Sequence, residues 1–189
     1  MMMLILGLLV FLGTHSVALF APVARDRWAA ALGTGAWRGL YSLLSLAGFL
    51  LVIYGYGQAR LAPVVLYVPP GWLRIVTWLL MLPVFPLLFA ANLPGWIQRT
   101  VKHPMLTAVK AWALAHLLAN GMLADVLLFG GFLAWAVADR ISLKRRVPRP
   151  LRMAPPSRWN DAIAVVGGLL VYALMLAWLH RVLIGVSPL

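Results

Sequence analysis

The sequence predicts an all-α fold, a polytopic membrane helix bundle of six transmembrane helices forming one domain over residues 1–189. Three observations carry that expectation. Hydrophobic residues make up 63% of the chain and charged residues 11%, with a mean hydropathy of +0.93, whereas a soluble domain is nearer half apolar and a quarter charged. So much apolar surface cannot be hidden inside one small globule and must face lipid. The apolar residues also fall into six segments, each near the ~17–25 residues a spanning helix requires. Finally, the basic residues are divided very unequally among the connections.

The first segment covers residues 3–20. Its charges, Arg25, Asp26 and Arg27, follow the apolar run instead of preceding it, so it reads as a retained span and not a cleaved signal peptide. The second covers 37–58. The third, 71–92, contains Pro83 and Pro86. Each proline removes a helical hydrogen bond, so a kink is expected, with neighbouring helices satisfying the freed carbonyls. The fourth, 103–120, opens with Pro104, which suits a first helical turn because its missing N–H would have had no partner there. Ala111, Ala115 and Ala119 recur every four residues along it and would let another helix approach closely, as small residues do in lipid. Asn120-Gly121 turns directly into the fifth segment, 122–139. A basic, proline-rich loop over 140–160 leads to the sixth, 161–180. Trp28, Trp37, Trp72, Trp96 and Trp159 stand at span ends, where amphipathic rings suit the headgroup layer.

With six crossings, the 1–2, 3–4 and 5–6 connections share one side. Arg25, Arg27, Arg38, Arg99, Lys102, Lys110, Arg140, Lys144, Arg145, Arg146, Arg149, Arg152 and Arg158 lie there, against Arg60, Arg74 and Arg181 on the other. The positive-inside rule makes the richer side cytoplasmic and puts both termini outside, which is periplasmic in a bacterial inner membrane.

Composition also excludes chemistry. There is no cysteine, hence no thiolate metal site or redox thiol, and no glutamate; Asp26, Asp125, Asp139 and Asp161 are the only acids. A two-carboxylate hydrolase and a cage of hard oxygen ligands are disfavoured. The net charge of +12 reflects the positive-inside rule and attraction to anionic membrane lipid, not nucleic acid, since no basic module stands apart from the spans. Two readings stand for the 140–160 loop: contact with the anionic leaflet, or a docking surface for a protein partner.

The histidines bear most directly on function. His103, at the start of the fourth segment, reads as an interfacial residue capping the helix or touching headgroups. His116 lies about 20 Å further along the axis, inside the hydrocarbon, where an ionisable group is a functional hypothesis by default. Its plainer reading is an interhelical hydrogen bond, with Asn120 one turn on. His15, in "GTHS", lies about 18 Å deep, and Gly13, Thr14 and Ser16 leave room for something bulky beside it. His15 and His116 come to similar depths, within about 8 Å, and could face each other across a planar ligand. His180, beside Arg181, reads as interfacial. Two imidazoles on different helices, without cysteine or a carboxylate cluster, suit haem iron as a metal ligand set better than zinc or copper, because haem asks for an apolar cavity and one or two axial ligands. Its propionates need cations, and Arg25, Arg99, Lys102 and Lys110 lie on the cytoplasmic half.

The stretch "HPMLTAVKAWALAHLLANGMLADVLLFGGFLAWAVADR", with "GTHS" and "RGLYSLLSLAGFLLV" earlier, resembles the NnrU family of bacterial membrane proteins. The matching motifs are His103-Pro104-Met105, Trp112 to Gly121, Leu127 to Phe132, and Asp139-Arg140. The resemblance covers residues 1 to about 145 and extends plausibly to the last span. It implies a link to denitrification and nitric oxide metabolism. A related plant and cyanobacterial enzyme, the 15-cis-zeta-carotene isomerase, holds haem b by histidines and isomerises a carotenoid double bond. Carried over by position, its axial ligands fall on His15 and His116 and a third family histidine on His103. A cysteine near the second histidine of that enzyme is replaced here by Ala113, so a thiolate-switching mechanism is unavailable.

Two functional readings follow. One is a membrane haem b protein, with His15 and His116 as axial ligands and catalytic residues, His103 in support, and a cis-trans isomerase activity on a carotenoid or other polyene. The other is a non-catalytic membrane factor that assembles or senses something in nitric oxide metabolism. A transporter ranks third, because ion-coupled carriers carry intramembrane acids and broken-helix repeats.

Overall fold

The computed structural model describes residues 1–145 and 153–189, which are helical nearly throughout. The helices are α1 (Met2–Phe20), α2 (Pro22–Leu32), α3 (Thr34–Leu61), α4 (Leu73–Met81), α5 (Val84–Ala90), α6 (Trp96–Val101), α7 (Pro104–Ala119), α8 (Leu123–Ser142) and α9 (Asn160–Leu174). A π-helical turn over Met175–Leu179 then joins α9 to α10 (His180–Ile184). Every expected apolar segment is helical, and the third is broken at Leu82–Pro83 as its prolines require.

The expected count of six crossings is corrected to four. Among the described residues, the helices long and apolar enough to cross a membrane are Met2–Phe20, Thr34–Leu61, Leu73–Ala90 and Asn160–Ile184. The two segments that drop out do so for different reasons. α7 has 16 residues, about 24 Å at 1.5 Å per residue, which is short of a hydrocarbon core of about 30 Å. α8 has 20 residues but carries Asp125, Asp139 and Arg140, and both of its acids are buried within the protein. The four spans instead present large aliphatics outward, such as Leu43 at 65% and Leu170 at 60% exposed. This is the surface expected of a chain solvated by lipid.

The chain forms two compact units: Met1–Pro69 with Asn120–Arg146, and Pro70–Ala119 with Val147–Leu189. In the first, α1 and α3 pack so closely that their glycines admit no side chain. A Cβ on Gly7 would stand 2.5 Å from the Val52 nitrogen, and one on Gly48 would stand 2.7 Å from that of Phe11. A Cβ on Gly55 would run into the Leu4 backbone. Small residues serve this purpose where dispersion, not hydrophobicity, holds helices together. α8 is pinned at its start. Tyr56 donates to Asp125 Oδ1 at 2.6 Å, while Asp125 Oδ2 accepts the Met122 N–H at 2.9 Å. The segment after α3 adds an antiparallel bridge, Val65 to Met122, and the Leu123 N–H donates to the Val64 carbonyl at 2.8 Å.

In the second unit α5 packs on α9, where Gly168 lets the backbone at Pro86 approach, and α7 packs on α4 and α5. Val84, Leu87 and Ala108 form the buried centre, covered by Met81, Ile97 and Trp112 among others. At the break between α4 and α5, Tyr172 donates to the Trp78 carbonyl at 2.8 Å. Asp161 accepts from the N–H groups of Trp96 at 2.7 Å and Ile97 at 3.0 Å, closing the start of α6. Asn160 donates to the Pro94 and Pro155 carbonyls. The centre of the basic loop, read as a contact with the anionic leaflet or a docking surface, spans residues 146–152 and lies outside the described residues.

Candidate functional site

His15 sits on α1 in the first unit, partly buried, with its ring 4.3 Å from Phe11, 5.4 Å from Tyr41 and 6.0 Å from Trp135 by centroids. The Trp135 ring meets it edge-on at 89°. His15 Nδ1 donates to the Phe11 carbonyl at 2.7 Å, one turn back. A carbonyl can only accept, so the proton sits on Nδ1, and in the neutral ring Nε2 carries the lone pair. Metal-ligating histidines are commonly oriented in this way, by a carbonyl on the far nitrogen. Trp135 Nε1 is buried without a hydrogen-bond partner, an uncommon state for an indole N–H that calls for an explanation. On the same helix an apolar groove of about 230 Å³ runs along Ile5, Leu8, Leu9, Leu12, Gly13 and Ser16, with Leu127 of α8 on its other wall. Gly13 faces open space, as its place beside His15 leads one to expect.

His116 sits on α7 in the second unit and repeats the arrangement of His15. Its Nδ1 donates to the Trp112 carbonyl at 2.8 Å, again one turn back, with the Trp112 ring 5.4 Å away. On α4, Thr77 donates to the Ala115 carbonyl at 3.1 Å, holding the backbone next to it. The same unit brings in a residue that sequence reasoning passed over. The His180 ring lies 6.5 Å from that of His116, with the two planes 25° apart. His180 Nδ1 donates to the Val186 carbonyl at 2.6 Å. That carbonyl returns to the histidine because Gly185 takes a φ of +80°, a left-handed turn that glycine adopts without penalty. His180 follows the π-helical turn directly, and such turns are frequent at functional sites. The available sequence signal was the histidine itself, near the end of an apolar segment. Nothing in the spacing of residues 116 and 180 pointed to their meeting.

The other expected site residues are spread over both units. His103 precedes α7, and its carbonyl accepts from the Thr107 N–H at 3.1 Å and hydroxyl at 3.2 Å, which agrees with the reading of a residue at the helix start. Lys102 beside it is exposed with φ +63°, and Arg99 is exposed near the end of α6. In the first unit, Arg25 pairs with Asp26 at 2.9 Å and lies 5.6 Å from the centre of the Trp37 ring. Near the polar latch on α8, burial pushes the Tyr67 phenol above its ordinary range, with the Asp125 charge a smaller cause in the same direction. Tyr67 donates to the Asn120 carbonyl at 2.7 Å.

No cluster of three or more histidine, aspartate or glutamate side chains able to hold a metal ion occurs among the described residues. A bare ion would therefore have at most two side-chain donors of these types. Haem asks for only one or two axial ligands, a number within what imidazoles held through Nδ1 by backbone carbonyls can supply, as His15, His116 and His180 are. The donor set and the orphaned indole N–H beside His15 fit that group.

The family model described as NnrU protein matches residues 3–188. No curated protein and no solved structure matches the chain.

Proposed function

The chain belongs to the NnrU family, and from that premise we propose that this integral membrane protein binds haem b through imidazole, with His15 of the first unit and His116 of the second each a candidate iron ligand. The observation that carries the reading is the shared arrangement of the two rings. Each donates Nδ1 to the carbonyl four residues back, at 2.7 and 2.8 Å, which orients the ring and leaves Nε2 as its basic atom. Bound haem would supply an iron centre able to interact with an unsaturated ligand or a small gas. The protein's own share is to hold the imidazoles, exclude water with the aromatic rings around His15, and admit a long apolar molecule along the α1 groove. That groove, lined by aliphatics and opening at Gly13, suits a long apolar molecule, and cis-trans isomerisation of a carotenoid-like polyene is carried over from the resemblance to the 15-cis-zeta-carotene isomerase.

The test is an absorption spectrum of the detergent-purified protein from haem-replete cells, reduced and oxidised. A Soret band that disappears in His116→Ala supports haem ligation, and a colourless wild type refutes it. An unchanged isomer ratio on expression in a host making 15-cis-zeta-carotene would refute the isomerase assignment.

The orientation proposed is cytoplasmic for the α1–α3 connection. At the ends of the four candidate spans, Arg25, Arg27, Arg38, Arg99, Lys102 and Arg158 fall on one side and Arg60, Arg74 and Arg181 on the other. The chain lacks cysteine, so single cysteines placed at Trp28 and Tyr67 can be labelled from outside whole cells. Labelling at residue 67 and protection at residue 28 is the expected result.

A further inference from the structure

We infer that His180 is the imidazole paired with His116 around a single metal centre, so that the second unit carries a two-histidine site of its own. The inference rests on the reading of His116 as a metal ligand and names His180, not His15, as the donor sharing its metal. Three observations converge. The ring centroids are 6.5 Å apart with planes 25° from parallel. Two imidazoles sharing one metal through ring nitrogens at about 2.0–2.1 Å would have their centres about 5–6.5 Å apart, depending on the angle between them, so the observed spacing is within reach. Both rings are tied through Nδ1 to a backbone carbonyl, Trp112 for one and Val186 for the other, so Nε2 is the basic nitrogen of each neutral ring. The turn that delivers His180 is a departure from ordinary helix, a π-helical stretch over Met175–Leu179 followed by the left-handed Gly185. The π-helical stretch is the unusual part, since a left-handed glycine after the last turn is a common helix end.

The donor chemistry selects a metal that favours imidazole, without thiolate and without a cluster of carboxylates. Haem iron and a free divalent ion of the late first row share that preference, and two arms of one experiment separate them. The full-length protein in detergent is compared with His15→Ala, His116→Ala and His180→Asn. The asparagine amide can still donate to the Val186 carbonyl but offers no ring nitrogen to a metal, so this variant keeps the local bond and removes the ligand. One arm records oxidised and reduced spectra after haem-replete growth. The other titrates metal-free protein with Co²⁺ and reads its ligand-field bands, with helicity and monodispersity checked for every variant.

The expected result is binding in one arm that falls by at least about tenfold in both His116→Ala and His180→Asn and persists in His15→Ala. Where haem is bound, the ferric wild type gives the low-spin EPR signal of two imidazoles in near-parallel planes, a readout that needs no variant. Wild-type binding in His180→Asn, a high-spin ferric wild type, or loss in His15→Ala with His180→Asn unaffected would each overturn the pairing. The last of these would leave the haem reading standing. Co²⁺ binding without a Soret band would support the pairing and remove the haem reading. Binding in neither arm removes both.

Discussion

The polar latch at the start of α8 offers the most direct test of how this fold is held together. Asp125 is fully buried, and its two oxygens accept separately from the Tyr56 hydroxyl at 2.6 Å and the Met122 N–H at 2.9 Å. Tyr56→Phe deletes one donor to a carboxylate. Hydrogen bonds to charged groups are worth about 1.5–3 kcal/mol in soluble proteins, and interhelical polar contacts in membrane bundles reach only about 0.6–1.7 kcal/mol. Because the partner is a buried acid, the expected cost lies where the ranges meet, near 1.5 kcal/mol. Asp125→Ala removes both bonds and strands two donors, so its cost should be larger, about 2–4 kcal/mol. The double variant should cost less than the sum by about 1–2 kcal/mol, since Asp125→Ala has already broken the bond that Tyr56→Phe deletes. Equilibrium unfolding in mixed micelles with increasing SDS, followed by circular dichroism, measures all four proteins. Strictly additive costs, or a Tyr56→Phe cost under about 0.3 kcal/mol, would refute the assignment of this pair as the tie between α3 and α8.

Other perturbations follow from the same contacts. Gly55→Val should destabilise the α1–α3 pair by about 1–3 kcal/mol because its Cβ would meet the Leu4 backbone, while Gly57→Val, which meets nothing, should be near neutral in the same unfolding assay. Asp161→Ala should cost about 1–2 kcal/mol, as the N–H groups of Trp96 and Ile97 lose their acceptor; a smaller cost in Asp161→Asn would confirm the acceptor role. The Tyr67 phenol is raised in the folded chain, so the folded state keeps a proton that the unfolded state loses. Its contribution is therefore complete below about pH 10 and declines as pH rises further. Tyr67→Phe should flatten that alkaline slope of stability.

Much of the fold was legible residue by residue. All six apolar segments are helical, and Pro83 breaks the third where its missing N–H requires. Pro104 opens α7 as expected of a first-turn proline. The count of crossings was not legible in the same way, because an apolar stretch of 16 residues and a 20-residue helix with buried acids look nearly alike when read as composition. Asp125 illustrates the difficulty. In sequence it is a charge within an apolar run, and the Tyr56 hydroxyl, 69 residues away, joins the nearby Met122 N–H in giving it a buried place. The surroundings of His15 were foreseeable in part, since Gly13 and Ser16 do border open space. Tyr41 and Trp135 gave no signal of closing around that ring.

The sequence by itself determined that this chain lives in a membrane, which apolar segments are helical and where the third breaks, and which connections are rich in positive charge. Each of those properties is close to a sum over neighbouring residues, transferred to lipid or held at its surface. Only the tertiary structure decided which helices are lipid-facing spans and which are packed against protein, and that His180 stands beside His116. Those outcomes depend on contacts between residues far apart in the chain. Side-chain direction there is set by helix packing, a π-helical turn and one left-handed glycine, none of which the local pattern of apolar and polar residues encodes.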